Sequence, residues 1–128
     1  MRASSPAAFD PREDIVIVRE QISVEELARL TQRMDGELVK AVVDVHREIM
    51  AVGARFHAEL EAALIDDGSQ QTDVWGINLY PARYDRPEWL EFDSVINLRP
   101  RHGNRTRSVD DPRARDEIAS IVDRLVMP

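Results

Sequence analysis

Residues 75–107 read WGINLYPARYDRPEWLEFDSVINLRPRHGNRTR and combine the clearest strand pattern of the chain with its densest set of polar side chains. Two sets of positions alternate here: Leu90, Phe92, Ser94, Ile96 and Leu98 in one, and Glu91, Asp93, Val95, Asn97 and Arg99 in the other. A period of two is typical of a half-buried strand, whose successive side chains point to opposite faces. We therefore predict a strand over residues 90–98, with one apolar face and one face that carries polar groups.

The strand pattern runs directly into a basic loop, residues 99–107, in which Pro100 and Gly103 are residue types that end a strand and build a turn. Gly103 allows close backbone approach, Asn104 can donate hydrogen bonds, and guanidinium groups match the geometry of phosphate. The loop lacks the lysine signature of a phosphate-binding P-loop. It is a candidate site for a phosphate or carboxylate, on a small molecule or a nucleic-acid end, unless it is solvated surface or pairs internally. Its arginines are Arg99, Arg101, Arg105 and Arg107.

The rest of the chain predicts strands and helices in alternation. Residues 15–18 indicate a short buried strand, and Ser23 with Glu26 forms a capping box for a helix that we expect to end near Met34. The later elements are a hairpin of residues 38–45 and 49–52, a helix over 55–65, a strand over 74–80 that pairs with the strand over 90–98, and a last helix from Asp111 and Pro112.

Hairpins interleaved with helices are typical of the α+β class. We expect a single domain with an antiparallel or mixed sheet, made of two hairpins and an N-terminal strand, and three helices mainly on one face. Residues 1–14 are expected to be flexible, and residues 15–128 to form the domain.

Length and composition set limits on the function. The 128 residues suffice for one domain with a stable core. Because the chain has no cysteine, disulfides, thiolate nucleophiles and cysteine-based metal sites are excluded. No apolar run approaches the roughly 20 residues that span a bilayer, so we expect a soluble, cytoplasmic protein with no membrane partner.

The distribution of charge bears on the partners. A net charge of −7 argues against long duplex nucleic acid, because nonspecific affinity for a polyanion comes from neutralising its phosphates. Residues 94–109, however, include four arginines and no acidic residue, so this segment can attract one anion while the acidic remainder repels a polyanion. We expect a small anionic ligand, no cofactor and no bound metal.

Three segments resemble a family of small bacterial and archaeal proteins described as a domain of unknown function. They are VVDVHREIMAVGARFHAELEAALIDDGS, DVWGINLYP and EFDSVINLRPRHGNRTRSVDDP, with the motifs WGIN, FDS, IN-x-RP and GNR. The resemblance covers roughly residues 15–126 and implies no activity. It does imply that certain residues belong to recurring motifs: Asp44, His57, Glu61, Trp75, Asn78, Asp93, Asn97, Arg99, Asn104 and Arg105.

His57 and Glu61 are the candidate catalytic pair. They stand four residues apart on the second predicted helix and therefore share a face. A histidine beside a carboxylate can act as a general base, a metal ligand or a fixed hydrogen-bond donor. No HExxH motif or second nearby histidine indicates a zinc site, and the commoner outcome for such a pair is a plain surface contact.

Asp44 and Asp93 interrupt apolar surroundings, and buried carboxylates need partners. Arg99, Arg101 or Arg105 can supply these partners through bidentate hydrogen bonds, in which case the polar network is architectural. Structural ion pairs and active sites use the same residue types, so the sequence leaves both interpretations open.

The leading hypothesis is a polar pocket where the two hairpins and the second helix meet, binding a small anionic ligand. Its expected lining is His57, Glu61, Asn78, Asp93, Asn97 and the basic loop with Arg99, Arg101, Asn104 and Arg105. If the protein is an enzyme, we expect metal-independent acid–base chemistry of the kind a toxin-like ribonuclease uses. The alternative is a noncatalytic interaction module, including a homodimer, that pairs through a sheet edge or the last helix. An open cleft from His57 to the basic loop would favour the ligand hypothesis.

Overall fold

The computed structural model describes residues 14–32 and 36–128, and within these ranges the chain forms seven strands and three α-helices. The strands are β1 (Val16–Val18), β2 (Ile22–Ser23), β3 (Val39–Asp44), β4 (Ile49–Val52), β5 (Val74–Leu79), β6 (Leu90–Glu91) and β7 (Val126–Met127). The helices are α1 (Val24–Thr31), α2 (His57–Asp66) and α3 (Pro112–Leu125).

The main sheet has the strand order β1-β4-β3-β5-β6, and every neighbouring pair is antiparallel. It contains the two predicted hairpins, β3–β4 and β5–β6, and the predicted N-terminal strand at one edge. The α+β prediction is therefore confirmed. The sequence did not indicate the separate parallel pair of β2 and β7, which joins the start of α1 to the end of α3.

Strand β3 separates two apolar cores. Val43 belongs to the core that includes Leu27 of α1 and Leu125 of α3. Its neighbour Val42 belongs to the core that includes Leu60 of α2. Because successive side chains of a strand point to opposite faces, α1 and α3 cover one face of the sheet and α2 covers the other. Two of the three helices thus share a face.

Local capping begins two of the helices. The Ser23 hydroxyl accepts a hydrogen bond from the Glu26 backbone N–H at 3.0 Å, and the Asp111 carboxylate accepts one from the Arg113 backbone N–H at 2.9 Å. Both predicted N-caps are confirmed. The expected end of α1 at Met34 and the first thirteen residues of the predicted flexible segment lie outside the described residues. No helix in the described ranges is long and apolar enough to cross a membrane.

The predicted strand over residues 90–98 is wrong beyond its first two residues. Strand β6 contains only Leu90 and Glu91, which pair with Leu79 and Asn78 of β5. The chain then leaves the sheet and forms a 3₁₀ turn at Val95–Asn97. The Ser94 hydroxyl accepts a hydrogen bond from the Ile96 N–H at 3.3 Å, and such a local bond competes with strand pairing.

Candidate functional site

Side chains, rather than a strand, complete the outer edge of β5 beyond its pairing with β6. The Gly76 N–H donates to Asn97 Oδ1 at 2.8 Å, and Asn97 Nδ2 donates to the Gly76 carbonyl at 2.9 Å. Two residues along the same edge, the Val74 carbonyl accepts from Arg99 Nη2. The approach needs a glycine, since a Cβ at Gly76 would lie 2.5 Å from the Cβ of Ser94.

Asn104 holds the basic loop in shape from inside. Its Nδ2 lies 2.7 Å from the Asn97 carbonyl, 2.7 Å from the Ser108 carbonyl and 3.1 Å from the Thr106 carbonyl, and its Oδ1 accepts from the Asp110 N–H at 2.7 Å. The residue is only 4% exposed. Asn97 and Asn104 were both predicted to bind a ligand, but their side-chain amides form hydrogen bonds with backbone groups of this chain.

Arg99 is held by three neighbours. Its Nε donates to the Ile96 carbonyl at 3.0 Å, its Nη2 donates to the Val74 carbonyl, and its guanidinium carbon lies 4.7 Å from the centroid of the Trp75 ring, within the range of a cation–π contact. A guanidinium has five N–H groups, so these two hydrogen bonds leave three. Burial lowers the pKa of Arg99, although the group stays protonated at neutral pH, and the nearby Glu61 opposes the shift.

Glu61 lies near this guanidinium without forming an ion pair with it in the described part of the chain. Its Oε2 is buried and has no hydrogen-bond partner among the described residues. Burial raises the pKa of the Glu61 carboxyl, and the charge of Arg99 partly offsets the effect. Arg99 thus carries a partly desolvated positive charge that no carboxylate of residues 14–32 and 36–128 contacts directly.

Arg99 forms one wall of an open cleft of about 400 Å³. The cleft lies between the 3₁₀ turn Gln71–Asp73, which precedes β5, and the 3₁₀ turn Pro100–His102. Within the described chain its lining includes no acidic residue. The lining residues are Gln71, Thr72, Leu98, Arg99, Pro100, Arg101 and His102.

His57 lies elsewhere on the molecule, on the face of the sheet that α2 covers. Its Nε2 is 2.8 Å from the Ile77 carbonyl, which can only accept, so Nε2 carries the hydrogen and the neutral ring has its lone pair on Nδ1. Burial lowers the pKa of His57, the bond to Ile77 opposes this, and the charge of Lys40 adds to the lowering. The imidazole is therefore neutral at neutral pH.

Two further predicted site residues adjoin His57 rather than the cleft. Asn78 Nδ2 donates to Glu91 Oε1 at 2.8 Å and to the Asp93 carbonyl at 3.3 Å. The Asp93 carboxylate pairs with Arg107 Nε at 2.7 Å, and the charges of both residues act on His57. Asn78 Oδ1 is buried without a hydrogen-bond partner among the described residues.

The alternative of internal pairing with Arg99, Arg101 or Arg105 does not hold in this structure. Asp93 pairs with Arg107 instead. Asp44 is fully buried, but its Oδ1 accepts from the backbone N–H groups of His46 and Arg47, at 2.8 and 2.9 Å. Asp44 thus stabilises the β3–β4 turn, whereas Asp93 follows β6 at the edge of the sheet.

The predicted residues therefore fall into separate places. Arg99 and Arg101 line the cleft, Glu61 lies near Arg99 outside the lining, and His57, Asn78 and Asp93 form a second polar group. Arg105 belongs to neither the cleft nor the second polar group. Its backbone N–H donates to Asp110 Oδ2 at 2.7 Å, and its side chain is exposed. His57 does not line the cleft beside the basic loop, and the 3₁₀ turn Val95–Asn97 packs against both β5 and α2.

Five of the seven lining residues were not predicted to bind a ligand: Gln71, Thr72, Leu98, Pro100 and His102. Gln71 and Thr72 precede β5 in an ordinary polar segment, and only the turn of the chain into β5 brings them beside the basic loop. His102 was part of the basic loop but was not proposed as a ligand-binding residue. No periodicity or motif identifies such a pair of distant segments as neighbours.

Comparisons with known proteins give one match. A protein-family model described as "Protein of unknown function (DUF5674)" matches residues 16–125. No curated protein and no solved structure matches the chain. Within residues 14–32 and 36–128, no three His, Cys, Asp or Glu side chains lie together in a way that could hold a metal ion.

Proposed function

The chain belongs to this DUF5674 family, and from that starting point we propose that the cleft beside Arg99 binds a small anionic ligand. One observation carries the proposal: Arg99, Arg101 and His102 line a single open cleft, and no acidic residue of the described chain lines it with them. This is notable in a chain whose net charge is −7. A concave site lined by one sign of charge concentrates ligands of the opposite sign.

The fixed position of Arg99 supports anion binding. An arginine side chain has about 2 kcal/mol of rotamer entropy to lose when it becomes ordered. In Arg99 most of that loss has occurred on folding, since two carbonyls and the Trp75 ring hold the guanidinium. Its remaining N–H groups can bind an anion at little further entropic cost.

The electrostatic surroundings of Arg99 support the same proposal. A partly buried charge is costly when it has no partner, and Glu61, whose charge acts on Arg99, makes no ion pair with it in the described chain. Burial disfavours the charged form of Glu61, and no hydrogen bond within the described chain ties its Oε2 to the guanidinium. An anion in the cleft would supply the missing negative charge.

We propose binding rather than catalysis. Neither His57 nor Glu61 lines the cleft, and the Nε2 of His57 is engaged by the Ile77 carbonyl. General acid–base chemistry needs a group within hydrogen-bond reach of the ligand. The ribonuclease hypothesis therefore gains no support from this arrangement.

Arg101→Ala tests the function, with Arg86→Ala as the matched control. Both side chains are exposed, and neither forms an ion pair with a described residue, but only Arg101 lines the cleft. Each substitution alone should change the free energy of unfolding by less than about 0.5 kcal/mol, as is usual on a surface.

Unfolding is then followed across a series of inorganic phosphate concentrations, with sodium chloride at matched ionic strength to correct for screening. Phosphate at 100 times its Kd should stabilise the wild type and Arg86→Ala by about 2.7 kcal/mol. Arg101→Ala should lose most of this gain. An equal response of all three proteins would refute anion binding in the cleft.

A further inference from the structure

We propose that the ligand of this cleft is a soluble organic phosphate monoester, with its phosphate on Arg99 and Arg101 and its organic part against Leu98 and Pro100. This inference rests on the anion-binding function and narrows it to one chemical class. Three properties of the cleft lead to it: its volume, its apolar wall and its number of fixed charges.

The volume is too large for an inorganic anion alone. The cleft measures about 400 Å³, within the range of about 300–1,000 Å³ in which proteins bind small organic molecules. A water molecule occupies only about 30 Å³ in the liquid, and a phosphate ion is only a few times larger. Most of the cleft would remain for the rest of a larger ligand.

The wall next to Arg99 is apolar. Leu98 is 44% exposed and Pro100 is exposed, so both present hydrocarbon surface to the cleft. Pro100 also fixes the backbone between Arg99 and Arg101. The Gln71 amide and the Thr72 hydroxyl, from the turn before β5, can hydrogen-bond a polar group at the other end of the ligand.

The charge of the lining suits a dianion. Arg99 and Arg101 contribute two permanent positive charges, and no acidic residue of the described lining offsets them. A phosphate monoester carries a charge of about −1.5 to −2 at pH 7, whereas a carboxylate carries one negative charge. Guanidinium groups bind the oxygens of phosphate in bidentate fashion, which adds geometric selectivity.

A series of alkyl phosphates tests the class directly. Methyl, ethyl, propyl and butyl phosphate are titrated calorimetrically at constant pH and ionic strength. Each buried methylene adds about 0.8 kcal/mol, which is about a four-fold lower Kd. From methyl to butyl phosphate we expect the Kd to fall by up to about 60-fold, and alkyl carboxylates of equal length should bind more weakly.

Leu98→Ser tests whether Leu98 contacts the alkyl chain of the ligand, and Val95→Ser is its matched control. Val95 is 62% exposed, lies three residues before Leu98 and does not line the cleft. Leu98→Ser should flatten the dependence of Kd on chain length while the Kd of methyl phosphate changes by less than about two-fold. Val95→Ser should keep the full dependence. A chain-length dependence that survives in Leu98→Ser would overturn the assignment of this wall.

The outcomes separate this inference from the proposed function. If inorganic phosphate binds in an Arg101-dependent way but the alkyl chain has no effect, the ester class is wrong and anion binding stands. If neither phosphate nor any ester binds, both fail. The class is also overturned if carboxylates bind as tightly as phosphates of equal length.

Two larger ligands that carry the same phosphate monoester group are tested in parallel experiments. Vesicles of phosphatidylcholine with phosphatidic acid present a phosphate monoester on a lipid, and a 5′-phosphorylated oligonucleotide presents one on a nucleic-acid end. Binding to either of them without measurable binding of butyl phosphate would overturn the assignment to a soluble ester. Butyl phosphate binding that neither source exceeds would support it.

Discussion

Asn97→Ala is the substitution that most directly tests how this fold is held together. The Asn97 side chain is fully buried and makes three hydrogen bonds to backbone, two with Gly76 and one of 3.0 Å with the Arg107 carbonyl. Removing it leaves the Gly76 N–H and the Gly76 carbonyl without those partners, whereas the Arg107 carbonyl keeps the Ser94 N–H at 2.9 Å. Each such buried group costs about 1–3 kcal/mol, so two set an upper range of about 2–6 kcal/mol.

Water that enters the vacated space will satisfy part of this loss, and coupled contacts do not add fully. We therefore expect Asn97→Ala to lower the free energy of unfolding by about 2–5 kcal/mol, a large part of the roughly 5–15 kcal/mol typical of a domain. Urea denaturation gives this quantity, and Val95→Ala in the same 3₁₀ turn is the control, expected within about 0.5 kcal/mol.

Asn97→Asp tests the direction of the hydrogen bonds. The aspartate keeps an acceptor for the Gly76 N–H but replaces the donor by an oxygen that faces the carbonyls of Gly76 and Arg107. At neutral pH, Asn97→Asp should lower the free energy of unfolding by at least as much as Asn97→Ala. A loss below about 1 kcal/mol for Asn97→Ala, or an aspartate better tolerated than alanine, would refute this account of the sheet edge.

Three other substitutions test separate parts of the structure. Burial raises the pKa of Glu61 above 4.5, so the contribution of its neutral carboxyl to stability is fully present below that pH and is lost as pH rises through the folded-state pKa. Glu61→Gln should therefore have a higher free energy of unfolding than wild type at neutral pH. Unfolding measured over a series of decreasing pH should show this difference disappear. Gly76→Ala should cost about 1–3 kcal/mol in urea unfolding, since its Cβ would lie 2.5 Å from that of Ser94. Leu125→Ala in α3 should cost about 2–5 kcal/mol, because the side chain is fully buried, and a loss below about 0.5 kcal/mol would contradict its place in the core.

The elements that the sequence predicted correctly are those held by local contacts. Ser23 and Asp111 bond to backbone groups two or three residues away, so residue type and spacing were enough to place both helix starts. The strand over residues 90–98 failed for the opposite reason. Asn97 bonds to Gly76, 21 residues away, and this contact replaces the strand pairing that alternation alone predicts.

The candidate site was predictable only in part, for a similar reason. Spacing placed His57 and Glu61 one turn apart on α2, and composition identified the arginines of the basic loop. Spacing could not show that the Ile77 carbonyl engages His57, nor that Arg99 is held against Trp75. Arg101 and Arg105 look alike in the sequence, but the turn at Gly103 separates them, and only Arg101 lines the cleft.

The contacts that complete the sheet edge also position the cleft. An open strand edge presents N–H and carbonyl groups that can pair with another chain, and proteins commonly cover such edges. Here Asn97 and Arg99 cover the edge of β5 with side chains, and the bond to Val74 holds the guanidinium of Arg99 at the cleft wall. Because Arg99 follows Asn97 by two residues and donates to the Ile96 carbonyl in the turn that contains Asn97, loosening Asn97 must also loosen Arg99. Stability and anion affinity should therefore fall together in Asn97 variants, whereas Arg101 variants should lose affinity alone.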